Sequence, residues 1–133
     1  MGEVNVKASI GTDHYKVVLQ AGKNIIIGEE PIDKGGGDEG MNPYEILASA
    51  LGACTCATVR MYADRKEMPL EGLNVTLTLT RDDEKNTTTI TRDIVLLGDL
   101  TPEEKDRLLT IANKCPVHKV LTNPINIATK IVD

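Results

Sequence analysis

The residues of this 133-residue chain best suited to chemistry are its three cysteines, Cys54, Cys56 and Cys115, followed shortly by His118. Thiols in such a pattern have three uses: small apolar packing, metal ligation and redox chemistry. Cys54-x-Cys56 and Cys115-x-x-His118 supply zinc-type ligands on paper. Successive helical residues turn by about 100°, however, so Cys54 and Cys56 point roughly 200° apart and cannot converge on one ion in an intact helix. Neither pair is flanked by a Gly-rich knuckle, and no metal and no cofactor are expected. The odd cysteine count in a cytosol-like sequence also argues against a structural disulfide framework. Cys56 is read as a packing residue. Cys54 alone could be one too, but Cys115 stands between a helix end and Pro116, where unpaired amides of the next turn would favour its thiolate. Two such thiols suggest a redox pair.

The first thiols need a helix. Asn42-Pro43-Tyr44-Glu45 opens one: Asn caps free amides, Pro is preorganised for the first position, and Glu45 can close a capping box. Ile46, Leu47, Ala50, Leu51, Cys54, Thr58 and Met61 then recur at three- and four-residue steps, which predicts that Cys54 lies on the buried stripe. The helix runs to the polar end "ADRKEMP". At roughly 24 residues it would span about 36 Å, long for a chain of this size, and dimerisation around it would help to hide it.

Before the helix, "VNVKASIG", "YKVVLQA" and "NIIIG" read as three short strands separated by turn chemistry, an antiparallel meander. The loop "EEPIDKGGGDEGM" has three successive glycines but no following Lys-Ser/Thr pair, so it is a flexible connection and not a phosphate cradle. After the helix, residues 70–97 alternate as a two-stranded unit turning at Asp82 to Asn86. Thr101-Pro102-Glu103-Glu104 starts a second helix, Pro116 a short third one closed by Asn123-Pro124, and "INIATKIVD" reads as a final strand. The order predicts one α+β domain over residues 1–133.

Composition narrows the function. A net charge of −5 with no basic cluster argues against a phosphate-binding surface, and the absence of Phe and Trp against base stacking. No nucleic-acid partner is expected. The N-terminus has no apolar signal core and no run of membrane length is seen, so no membrane association and a cytoplasmic location are expected.

The run "GGGDEGMNPYEILASALGACTCATVRMYADRK", followed by "CPVHKVL", resembles the OsmC/Ohr family of thiol-dependent hydroperoxide reductases, in particular its OsmC-like branch. The likeness covers essentially the whole chain, and the paired signature of NP-x-E with LGAC and then CP-x-x-K-x-L is quite specific. It implies an intertwined, strand-exchanged homodimer with antiparallel sheets around long central helices. It also implies that Cys54 attacks an organic hydroperoxide and becomes a sulfenic acid, that Cys115 resolves it as a disulfide, and that a dithiol, possibly of lipoyl type, reopens that bond. For this the two α-carbons must come within roughly 4.4 to 6.8 Å.

The best-known peroxidases of the family place a Glu directly after NP and pair it with an Arg from the N-terminal strands. Here Tyr44 takes that place, Glu45 stands one later, and no Arg precedes Arg60. Glu45 and Arg60 are therefore the candidate supporting residues, with Lys7, Lys16, Lys34 and His118 as further cations. The same departure favours the alternative of a ligand-binding or stress-associated dimer with weak or no peroxidase activity.

Overall fold

In the computed structural model, which describes residues 2–132, the early alternation forms β1 (Lys7–Ser9), β2 (Lys16–Ala21) and β3 (Asn24–Glu29). They make an antiparallel sheet in that order, with Ala8 opposite Leu19 and Val18 opposite Ile27. The first strand is shorter than its alternating sequence, because its ladder with β2 ends at Ser9 opposite Val18.

The glycine loop is pinned instead of flexible. Glu29, almost fully buried, accepts the Gly37 N–H at 2.6 Å and the Glu39 N–H at 3.1 Å. Gly36 is required there, since a β-carbon would sit 1.9 Å from the Glu30 carbonyl oxygen. The chain then pairs Glu29 N–H with the Met41 carbonyl at 3.0 Å and enters α1 (Pro43–Arg65). The predicted capping box is formed: Asn42 N–H donates to Glu45 Oε1 at 2.8 Å and Glu45 N–H to Asn42 Oδ1 at 2.9 Å. This compact unit ends at Ala48.

A second compact unit begins at Ser49. It holds the rest of α1, β4 (Gly72–Asp82), β5 (Thr87–Leu97), α2 (Pro102–Ala112) and α3 (Pro116–Thr122). β4 and β5 pair antiparallel, with Val75 opposite Ile94 and Leu79 opposite Ile90. The period-two pattern holds along both: Leu73, Val75, Leu77 and Leu79 are half-buried on one strand, and Ile90, Arg92, Ile94 and Leu96 on the other. Val59, Tyr62 and Ala63 of α1 meet Leu70, Leu100, Leu108, Ile111 and Ala112 in the core. Tyr62 keeps its polar tip satisfied by accepting from Arg107 Nε at 2.7 Å. Thr101 caps α2 in a complete capping box with Glu104.

Three expectations need correction. The buried stripe of α1 is Leu51, Thr55, Val59, Tyr62 and Ala63, with Gly52 beside it, so Cys54 lies at its margin and is half-buried, while Leu47 and Met61 are exposed. Thr55 is tolerated in that stripe because its hydroxyl donates to the Leu51 carbonyl at 2.7 Å. Among the described residues the final strand does not form: 124–132 carry no regular structure there, and Ile125, Ile127 and Ile131 are exposed. α1 is also long and apolar enough to cross a membrane, with a mean hydropathy of 1.3 over an 18-residue window, contrary to the reading that no such run exists. Its apolar character is used in part in the core, where Val59 and Ala63 are completely buried.

Candidate active site

The thiol site is assembled within the second unit from α1, β5 and the junction of α2 and α3. Helix geometry sets the first thiol: Cys54 stands one position from the buried Thr55, so its sulfur lies at the edge of the core. Pro116 sets the second. Its missing N–H suits it to begin α3, which leaves Cys115 as the N-cap with extended backbone and its sulfur facing the new turn. Cys115 is fully buried.

The two thiols converge on one turn of the chain. The Val117 N–H, two residues beyond Cys115, points to Cys54 Sγ at 3.5 Å, and Cys54 is one of the polar neighbours that favour the Cys115 thiolate. Cys54 also has the Thr58 hydroxyl at 3.9 Å. Cys115 Sγ accepts the His118 N–H at 3.4 Å. All three cysteines are free thiols, and Cys56, half-buried, stays outside this cluster.

The cation at the site is Arg92. From β5 its Nη1 donates to Thr55 Oγ1 at 3.0 Å and reaches Cys115 Sγ at 3.9 Å; its Nη2 donates to Asn113 Oδ1 and meets His118 Nδ1, both at 2.9 Å. A guanidinium only donates, so His118 Nδ1 must accept and present a lone pair there. His118 is thus an acceptor for the cation, not the cation itself. Burial pushes the Cys115 thiol up; the His118 amide, the Cys54 thiol, the Thr55 hydroxyl and Arg92 outweigh it, and the net displacement is downward.

The supporting residues chosen from sequence are engaged elsewhere. Arg60 donates to Asp64 Oδ1 through Nε and Nη2 at 3.0 and 2.6 Å and to the Leu70 carbonyl at 2.7 Å. It braces the end of α1 and makes no hydrogen bond to a thiol among the described residues. Glu45 closes the capping box, and Lys16 pairs with Glu39 at 3.1 Å. Lys7 and Lys34 are exposed. Arg92 escaped the sequence reading, although a signal for it existed: the alternation of "TTTITRDIVLL" puts it in the inward row with Ile90, Ile94 and Leu96, where a lone charge requires partners.

A cavity of about 180 Å³ lies beside the cluster, lined by Leu51, Thr88, Ile90, His118, Leu121 and Thr122. Leu51 precedes Cys54 by nearly one turn of α1, so the cavity offers apolar walls close to the thiols. No group of three or more His, Cys, Asp or Glu side chains suited to a metal ion occurs among the described residues.

Residues 35–130 match the family model described as OsmC-like protein. Solved structures share the fold. An OsmC-like protein of Mycoplasma pneumoniae is similar with a TM-score of 0.77 and 20% identity, over 90% of this chain and 87% of that one. An organic hydroperoxide resistance protein OsmC of Legionella pneumophila gives a TM-score of 0.67 and 21% identity over 92% and 90%. The organic hydroperoxide resistance protein OhrB of Bacillus subtilis gives 0.64 and 20% over 91% of each chain. No curated protein is similar enough in sequence to count as a match.

Proposed function

The chain belongs to the OsmC-like protein family, and on that footing we propose that it is a thiol-dependent peroxidase reducing organic hydroperoxides to alcohols in oxidative stress defence. The observation that carries this reading is the convergence of Cys54 and Cys115 on the first turn of α3, where Val117 N–H meets the first sulfur and His118 N–H the second, beside Arg92. Two free thiols on one turn, one half-buried and one fully buried, form the arrangement that a peroxidatic and a resolving cysteine need.

Cys54 is the more accessible of the two and meets the peroxide. Its sulfur attacks the terminal oxygen, the O–O bond breaks, the alcohol leaves, and the sulfur retains the hydroxyl as sulfenic acid. Cys115 attacks that sulfur, forming the disulfide and releasing water. An external dithiol, of lipoyl type by the family likeness, reopens the bond by exchange. The apolar walls at Leu51, Ile90 and Leu121 support an alkyl-bearing substrate over hydrogen peroxide. The reading places the reaction in the cytoplasm, where thiols are kept reduced, and in a homodimer of one-domain chains. The test is peroxide consumption with a dithiol in excess. Cys54→Ser abolishes it, Cys115→Ser ends it after a single turnover, and full activity in Cys54→Ser overturns the proposal.

A further inference from the structure

His118 stands on the turn that receives both thiols. The N–H of its neighbour Val117 points to Cys54 Sγ at 3.5 Å, and its own N–H to Cys115 Sγ at 3.4 Å. Its ring has a different task. Arg92 Nη2 meets Nδ1 at 2.9 Å, and the guanidinium is itself held by Thr55 Oγ1 at 3.0 Å and Asn113 Oδ1 at 2.9 Å. A guanidinium can only donate, so Nδ1 keeps its lone pair and the neutral ring carries its hydrogen on Nε2, the nitrogen turned from Arg92. The same residue is a wall of the cavity of about 180 Å³ that Leu51, Ile90 and Leu121 make apolar. Of the hydroxyls in that wall, Thr122 gives its hydrogen to the His118 and Lys119 carbonyls at 3.0 and 3.2 Å, and Thr88 receives Arg81 Nη1 at 2.9 Å. His118 thus brings to a mainly apolar wall a donor whose tautomer is fixed from behind.

We propose that His118 seats the hydroperoxide for attack by Cys54, its Nε2–H donating to the oxygen that bears the alkyl group while that group lies in the cavity. His118 has this role only on the peroxidase reading, although its tautomer and its place in the cavity wall do not depend on that reading. The seat tells the two peroxide oxygens apart. The alkyl group is drawn to Leu51, Ile90 and Leu121, the oxygen beside it comes to His118, and the terminal oxygen is left for Cys54, nearly one turn of α1 beyond Leu51. As the S–O bond forms the O–O bond breaks; the sulfur is oxidised by two electrons to S–OH and the alkyl-bearing oxygen is reduced to an alkoxide. The charge that develops there meets the Nε2–H, a donor in position before the reaction begins. The imidazole keeps its hydrogen, because Arg92 cannot replace it. Solvent takes the Cys54 thiol proton and returns one to the alkoxide, which leaves as alcohol. Hydrogen peroxide has no alkyl group and gains nothing from the apolar wall.

The kinetic test follows oxidation of Cys54 in the reduced protein by tert-butyl hydroperoxide. In His118→Leu the rate is expected to fall roughly a hundredfold, far more than the rate with hydrogen peroxide, and to recover in part in His118→Gln, whose amide can both donate and accept. Alkylation of Cys54 by iodoacetamide, read by peptide mass, is expected to keep its wild-type rate in His118→Leu, whereas a merely structural role would move it. Without any peroxide, imidazole NMR of nitrogen-labelled protein is expected to find the His118 hydrogen on Nε2 and to show that nitrogen shifting when tert-butyl alcohol is added. The proposal is overturned by a hydrogen on Nδ1, by equal losses toward the two peroxides, or by wild-type rates in His118→Leu. A wild-type protein that consumes no hydroperoxide but shows the alcohol-dependent shift strikes the peroxidase reading and keeps the seat; one that shows neither strikes both.

Discussion

Thr55 and Arg92 tie the thiol site to the core. Thr55 is fully buried and its single hydroxyl serves the Leu51 carbonyl as donor and Arg92 as acceptor. Thr55→Val keeps the shape and removes both bonds, leaving a partly buried guanidinium short of one acceptor. A stability loss of about 1 kcal/mol is expected from the denaturant midpoint, with slower closure of the disulfide; unchanged stability and rate would show that Arg92 does not depend on it. At this scale the sequence was informative about the thiols and misleading about their cation. Cys54 and Cys115 stand out by type and by their neighbours, whereas Arg60 and Glu45 were drawn in by a motif pattern that this chain does not keep. Arg92 lies 23 residues before Cys115 along the chain, and the packing of β5 against the junction of α2 and α3 brings it there. Its inward position was nevertheless encoded in the alternation around it.

At the scale of elements, boundaries followed local chemistry wherever that chemistry was self-contained. Asn42 and Glu45, Thr101 and Glu104, and Cys115 before Pro116 each set a helix start within a few residues of chain, so all three starts were legible. The face of α1 was legible only approximately, because two apolar rows compete for the core and the polar Thr55 lies in the one that wins. The final strand was not, since alternation in 125–133 defines two faces but no partner; Asp133 lies outside the described residues. The glycine loop depends on one longer contact, the buried Glu29 carboxylate. The Gly37 N–H, aided by the Glu39 and Tyr15 amides and Lys16 and opposed by burial, holds this carboxyl below its ordinary value. With the folded value depressed, its stabilisation is complete above the unfolded carboxyl range and is lost as pH falls through the folded value. Glu29→Gln should therefore lower stability at neutral pH and flatten the acid limb of the stability curve. Superimposable pH profiles for the two proteins would refute the anchor.

For the whole molecule, the α+β class, the strand order and the family were all readable, since each rests on many weak signals that agree. Association between chains is a separate matter, and exposed apolar residues argue for it: Ile127, Ile131 and Val132 are 86%, 95% and 75% exposed. In the proposed homodimer these positions are covered, and sedimentation equilibrium at micromolar concentration should return twice the chain mass; a monomer there would contradict it. Whether Cys54 and Cys115 are redox partners is decided by mass spectrometry of reduced protein given one equivalent of cumene hydroperoxide. A loss of two hydrogens is expected, with a cross-linked peptide pair containing Cys54 and Cys115 and with Cys56 still free. An unchanged mass, or oxidation found at Cys56 alone, would contradict it.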